Sequence, residues 1–322
     1  MIIKKLACGL FLLGAAAALE VSAQAYPSKP VRFLVPFTAG GGADIIARVI
    51  GQKLQEKWGQ QVVVDNRGGA GGNLAAELTA AAAPDGYTIF QFNVANAIAI
   101  SLYKKLNYDP VKDFSAVSLL ASSPFIFLAQ PALKAVTVQE LIAQAKAQPG
   151  KLIYASSGNG GPSHLAGELL KTMAGINITH VPYKGVAPAL SDVFAGQVQL
   201  MFAVPASGLP QVKAGRLRAL GVTGAKRTPL APDLPTVAES GVPGYEASTW
   251  YGLVTPAKAP RAVVSKLYAD VKQVLALPEV QERLTGVGVE LIGNSPEEFA
   301  QFIKTEIARW SRVVKFSGAQ ID

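Results

Sequence analysis

The chain has 322 residues, half of them apolar, with one cysteine, two histidines and a net charge of +8. That length can bury a large core and accommodates two domains of ordinary size. One cysteine excludes an internal disulfide framework, and two histidines make a histidine-based metal centre implausible.

The first residues read as a secretory signal peptide, 1–25. Lys4 and Lys5 precede an apolar run from Leu6 to Leu19, and Ala23-Gln24-Ala25 fits the small-residue cleavage pattern. Fourteen residues span about 21 Å as a helix, short of a ~30 Å hydrocarbon core, so a membrane anchor fits less well. Cys8 lies in the segment to be removed, which leaves the exported chain without cysteine. The exported chain carries 28 basic and 21 acidic residues, a net of +7. Its positive charges are scattered, never more than two in a row, so no nucleic-acid partner is expected. The excess suits solubility and mild steering of anions, and a basic surface without function fits it as well.

From Val31 onward, short β-branched runs alternate with helical patterns. Strands are predicted over Val31 to Val35, Gln61 to Asp65 and Tyr87 to Phe92. Between them, Ile45, Ile46, Val49, Ile50 and Leu54 recur at helical spacing, and a second helix runs from Asn73 to Ala83. Further strands are expected at Lys151 to Ser156, Asn177 to Val181, Gln199 to Ala203 and Arg216 to Val222, with helices from Pro162, near Val186 and from Pro205. The proline- and glycine-rich stretch from Thr228 to Tyr245 reads as an ordered surface excursion. A strand from Thr249 to Val254 and three helical segments close the chain, the last over Pro296 to Lys315. Repeated β–helix–β units imply an α/β protein with parallel sheets covered by helices on both faces. So many units divide better into two lobes, 26–123 with 250–322 and 124–249, joined by crossing strands.

Two glycine-rich loops each follow a strand and open a helix: Pro36-Phe37-Thr38-Ala39-Gly40-Gly41-Gly42 and Ser156-Ser157-Gly158-Asn159-Gly160-Gly161-Pro162. A helix N-terminus carries unpaired N–H donors and partial positive charge, which suits a carboxylate or phosphate. Two such loops in different lobes point to a shared anion site. Neither is a nucleotide fingerprint. Ser163 stands where the third glycine of G-x-G-x-x-G belongs, and no G-x-x-x-x-G-K-[ST] occurs. G-x-S-x-G is absent too. A Ser157–His164 pair could serve a hydrolase, but no oriented third member is evident. Asp44 and Asp192 suit capping or bracing better than acid–base work, and His180, in an apolar strand, reads as structural.

These motifs resemble the solute receptors of tripartite tricarboxylate transporters, the Bug receptors. The resemblance covers essentially the whole exported chain. It rests on YPSKPVRFLVPFTAGGGADIIAR (26–48), VVVDNRGGAGGN (62–73), YDPVKDF (108–114), YASSGNGGPSHLAGELLK (154–171), HVPYKGVAPALSDVFAGQVQLMF (180–202) and LPTVAESGVPGYEASTWYGLVTPAKAP (234–260). It implies a two-lobed type II periplasmic-binding-protein fold, with a cleft that closes on a carboxylate. It further implies a monomer in the periplasm, without catalysis, cofactor or metal, that hands its ligand transiently to inner-membrane transporter subunits. Some members serve in sensing. Carried over by residue, Phe37, Thr38, Ala39 and Gly40 form the first ligand loop, with Asp44 bracing it. Ser157, Gly158, Ser163 and His164 form the second, and Asp192 lies on a helix facing the cleft.

Two segments depart from the family pattern, which puts Asn93 and Ala203 at positions where relatives offer hydroxyl or acidic contacts. Phe92, Val94 and Ala95 then read as an apolar cleft wall. That wall would favour an aromatic acid or a medium-chain diacid over glutamate, aspartate or citrate. A secreted serine hydrolase using Ser157 or Ser163, and a sensing receptor without transport, are the competing readings.

Overall fold

The computed structural model describes residues 26–317, so the segment read as a signal peptide lies outside the described residues. The chain opens with β1 (Val31–Val35), α1 (Gly42–Trp58) and β2 (Val62–Asn66). A 3-10 turn over Ala70–Gly72 then leads into α2 (Asn73–Ala80), β3 (Thr88–Asn93) and α3 (Val94–Leu102). Two consecutive strands follow, β4 (Phe114–Pro124) and β5 (Ile126–Ala129), then α4 (Val138–Ala147). Next come β6 (Ile153–Ser156), α5 (Pro162–Ala174), β7 (Thr179–Pro182), α6 (Val186–Phe194), β8 (Leu200–Ala203), α7 (Pro205–Lys213) and β9 (Arg218–Val222). The chain closes with β10 (Ser248–Pro256), α8 (Arg261–Leu275), α9 (Pro278–Thr285), β11 (Glu290–Leu291) and α10 (Pro296–Ser317).

The strands form two sheets, ordered β11-β4-β10-β3-β1-β2 and β7-β6-β8-β5-β9. Both are mixed, which corrects the expectation of parallel sheets. The β–helix–β units do pair in parallel, β1 with β2 and β3, and β6 with β7 and β8. The strands that carry the chain between sheets cannot follow that rule, because β4 leaves the first sheet and β10 returns to it in the opposite direction. β10 is accordingly antiparallel to both β3 and β4, and β5 is antiparallel to β8 and β9. Thr223, fully buried, ties the outgoing and returning chains together. Its hydroxyl accepts from the Phe125 N–H at 2.7 Å and donates to the Ala247 carbonyl at 2.6 Å.

Each sheet has a core on both faces. On the first sheet, α1 and α8 cover one face through Ile46, Ile50, Leu54, Leu267 and Val271. The other face packs Phe90, Phe92, Trp250, Phe299 and Trp310 beneath α2, α3 and α10. Leu165 of α5 also belongs to that cluster, so a helix of the second sheet wedges against the first. Helix α3 is buried nearly all round, which removes the amphipathic period that would mark it in a sequence. Its start is set by a capping box between Asn93 and Asn96. Helix α4 starts on Thr137, whose hydroxyl accepts from Glu140 N–H, while Glu140 accepts from Val136 N–H. No helix among the described residues is long and apolar enough to cross a membrane.

Candidate functional site

The first glycine-rich loop connects β1 to α1. Gly40 sits at φ +87°, a conformation that favours glycine. Its N–H donates to Asp44 Oδ2 at 3.0 Å, and Arg48 Nε donates to both Asp44 oxygens at 2.9 and 3.0 Å. Burial works against the Asp44 charge, but the Arg48 and Gly40 hydrogen bonds outweigh it and hold the carboxyl below the usual range. Arg48 also reaches Asn66 Oδ1, and Asn66 Nδ2 donates to the Phe37 carbonyl at 2.9 Å. One network thus ties both ends of the loop to the helix. Thr38, Ala39 and Gly40 remain exposed, Phe37 is half-buried, and the N-cap Gly41 supplies no side-chain cap.

The second loop connects β6 to α5. Gly161 is the N-cap, again without a side-chain cap, and Pro162 occupies the first helical turn, where its missing N–H costs nothing. Ser163 Oγ accepts from Ser157 N–H and lies 3.2 Å from Ser157 Oγ. The loop after β7 is stitched to this one, since Tyr183 N–H and Gly185 N–H donate to the carbonyls of Ser156 and Ser157.

The two sheets meet at these loops. A Cβ placed on Gly185 would lie 3.7 Å from Thr38 Oγ1, and one on Gly71 would lie 3.5 Å from the Asn159 carbonyl. One on Gly42 would meet Tyr251 Oη at 3.0 Å and Val204 Cγ2 at 3.9 Å. Thr38, the start of α1 and the turn before α2 therefore face Asn159, Gly185 and Val204 of the second sheet. Pairs of residues far apart in sequence are brought to one cleft.

Other expected contact residues sit differently. Asn93 is fully buried, accepting from Ala95 N–H at 2.8 Å and donating to Asn96 Oδ1 at 2.8 Å, so its side chain serves the start of α3. His164 is 5% exposed, and its Nδ1 accepts from Gly160 N–H at 3.0 Å, which puts it behind the loop. Asp192 accepts from Tyr183 Oη at 2.6 Å. Burial, then the Asp192 hydrogen bond, pushes the Tyr183 phenol up to about 12. Ala203 is 2% exposed and packs with Ile126, Leu128 and Ala155.

The apolar wall expected after β3 is corrected. Phe92 is stacked on Trp250, with ring centres 6.1 Å apart, and meets Phe114 edge-on at 5.5 Å; Val94 belongs to the same core. Strand alternation decides this. Phe90 and Phe92 share one face of β3, so Gln91 and Asn93 take the α1 side, where Gln91 Nε2 donates to the Ala43 carbonyl.

The arrangement offers no assembled hydrolytic pair at Ser157. Ser157 Oγ turns to Ser163, and His164 Nδ1 is spent on Gly160. A cavity of about 590 Å³ opens elsewhere, between α7, β9 and Ala231 to Leu234, and shares no residue with either loop.

Comparison with known proteins follows the same lines. The family model described as "Tripartite tricarboxylate transporter family receptor" matches residues 46–319. The protein BugT of Bordetella pertussis is 35% identical over 315 residues, covering 97% of each chain. A solved Rhodopseudomonas palustris protein with adipate is 39% identical, with a TM-score of 0.87 over 92% of this chain and 100% of that one. The MatC protein of the same organism, with bound malate, is 34% identical, with a TM-score of 0.83 over 90% and 100%. BugD, a periplasmic binding protein, is 36% identical, with a TM-score of 0.85 over 92% and 99%. The chain belongs to the tripartite tricarboxylate transporter receptor family, the two-lobed solute-binding proteins that take up carboxylates.

Proposed function

We propose that this protein captures a short aliphatic dicarboxylate by closing its two lobes and delivers it to a tripartite membrane transporter. The lobes are 26–123 with 250–322 and 124–249. The observation that carries this reading is the approach of Thr38, in the loop that opens α1, to Gly185, which is hydrogen-bonded to the loop that opens α5; both helices start without a side-chain cap. Each N-terminus favours one anion, through N–H donors and helix dipole together. Thr38, Ala39, Gly40, Ser157, Gly158 and Ser163 are the contacts; Asp44 and His164 brace the loops that carry them. Export to the periplasm with cleavage after Ala25 belongs to the same proposal, as does action as a monomer without catalysis.

The bound adipate and malate of the two relatives support the ligand class. A preference for aromatic acids has lost its basis, because Phe92 and Val94 point into the core. Amino acids remain disfavoured. An ammonium needs a buried acceptor, and the carboxylates nearest the loops are engaged, Asp44 by Arg48 and Asp192 by Tyr183. Calorimetry with adipate, malate, citrate, glutamate and benzoate tests the reading. Binding of adipate or malate without turnover supports it; tightest binding to glutamate or benzoate, or hydrolysis of an ester, overturns it.

A further inference from the structure

Behind the second loop lies a cluster that carboxylate binding does not itself use. The rings of His164 on α5 and His180 on β7, the chain's two histidines, stack with centres 3.8 Å apart and planes 14° apart. Each ring holds the loop at a different point. Gly160 N–H donates to His164 Nδ1 at 3.0 Å, which leaves the ring proton on Nε2, facing Glu168 Oε1 at 3.8 Å. His180 Nε2 lies 2.6 Å from Ser156 Oγ. The Ser156 hydroxyl has one proton and donates it to the Gly158 carbonyl at 3.0 Å. With that proton on the carbonyl we assign the hydroxyl as acceptor at the histidine, which puts the His180 proton on Nε2 as well.

We propose that this stacked pair positions the second loop, His164 by fixing Gly160 and His180 by fixing Gly158 through Ser156, and that it does so only while His164 is uncharged. A proton on His164 Nδ1 would replace the lone pair that receives Gly160 N–H and set two donors against each other. Two charged rings at stacking distance would also repel. The surroundings favour the neutral rings. Burial lowers His164 to about 4, with Lys171 adding to the effect. Burial lowers His180 to about 3, with His164 and Lys171 adding and Glu168 opposing. Glu168 is held by Lys171 Nζ at 2.8 Å and by the Tyr154 hydroxyl at 2.8 Å, and Tyr245 donates to the Ala166 carbonyl. On the side where α10 packs, Glu306 is paired with Arg309.

The inference rests on the second loop being a ligand loop, but its first test needs no ligand. Because the chain has two histidines, nitrogen-15 NMR of the exported protein at pH 6 reads both rings directly. Both are expected neutral, with the proton on Nε2. A charged His164 ring, or a neutral ring with its proton on Nδ1, overturns the proposal. His164→Asn keeps an acceptor near the Nδ1 position and should leave Gly160 amide exchange within about twofold of the parent. His164→Leu removes it and should speed exchange roughly tenfold, as loss of one hydrogen bond implies. Unchanged exchange in a folded His164→Leu protein overturns the proposal; where that variant does not fold, the ring tautomers of the parent decide. Adipate serves as the probe for binding, which His164→Leu should weaken roughly tenfold and His164→Asn should spare. Failure of the parent to bind adipate would tell against the dicarboxylate reading, while ring tautomer and Gly160 exchange still judge the positioning.

Discussion

Thr38 Oγ1 stands 3.7 Å from where a Cβ on Gly185 would sit, with the first sheet supplying one residue and the second sheet the other. Gly185 adopts φ +117°, which side chains other than glycine's rarely take. Gly185→Val is predicted to strain this backbone and to crowd Thr38. Adipate affinity should fall at least about tenfold, and scattering should show less compaction on ligand addition, because only the closed form engages both loops. Binding within twofold of the parent would mean that closure does not bring these residues together.

Asp44 should matter through the shape of its loop. Its carboxylate is the acceptor for Gly40 N–H and for Arg48. Asp44→Ala is expected to weaken ligand binding by about 1.5–3 kcal/mol, the range for a charge-assisted hydrogen bond. Titration calorimetry with adipate reads the change, and an unaltered dissociation constant would show that the loop keeps its form without the brace.

Serine substitutions should have smaller effects. Ser157 and Ser163 lie against the loop, but backbone N–H donors survive any side-chain change. Ser157→Ala and Ser163→Ala are each predicted to cost about 1 kcal/mol of binding. A loss beyond about 3 kcal/mol from either would assign the carboxylate to that hydroxyl.

Acid should destabilise the protein in two windows. The folded values of His164 and His180, about 4 and about 3, lie below the ordinary value near 6.5. As pH falls below about 6.5 the unfolded chain therefore takes up protons first, and stability is lost until the folded rings also titrate. For His164 this amounts to roughly 3 kcal/mol, at about 1.4 kcal/mol for each tenfold change in acidity. Asp44, also lowered, holds its contribution down to the ordinary carboxylate range near pH ~4 and loses it below. Denaturant melts from pH 7 to 4 should show the first window shrink in His164→Asn. An identical pH profile in that variant would contradict the assignment.

Gly252 on β10 tests the packing of α10 on the first sheet. A Cβ there would overlap the Phe299 ring. Gly252→Ala is predicted to cost about 1–3 kcal/mol through overpacking of α10 on the sheet, read as a lowered melting temperature. Parent-like stability would show that Phe299 has room to move.

Much of the fold was legible because it is written locally. The buried run of β1, the helical spacing of Ile46, Val49, Ile50 and Leu54, and Pro162 at the start of α5 each declare themselves within a few residues. Helix α3 was not legible by period, since Val94, Ala95, Ala97, Ile98 and Leu102 are buried all round it. Its signal was Asn93 and Asn96 at capping spacing, and for α4 the corresponding signal was Thr137 and Glu140.

The sequence by itself determined the loop chemistry: glycines where the backbone must turn, helix N-termini without side-chain caps, and no basic residue beyond His164 in either loop. It also carried the family, through long motifs spread along the chain. The tertiary structure decided which side chains face the cleft. Phe92 turned to the core because neighbours on a strand point to opposite faces, and one residue of register exchanges wall for core. His164 and His180, sixteen residues apart, meet in a stack because β6 and β7 lie side by side with α5 packed over them. Such contacts depend on the packing of whole elements, and no local run of residues records them.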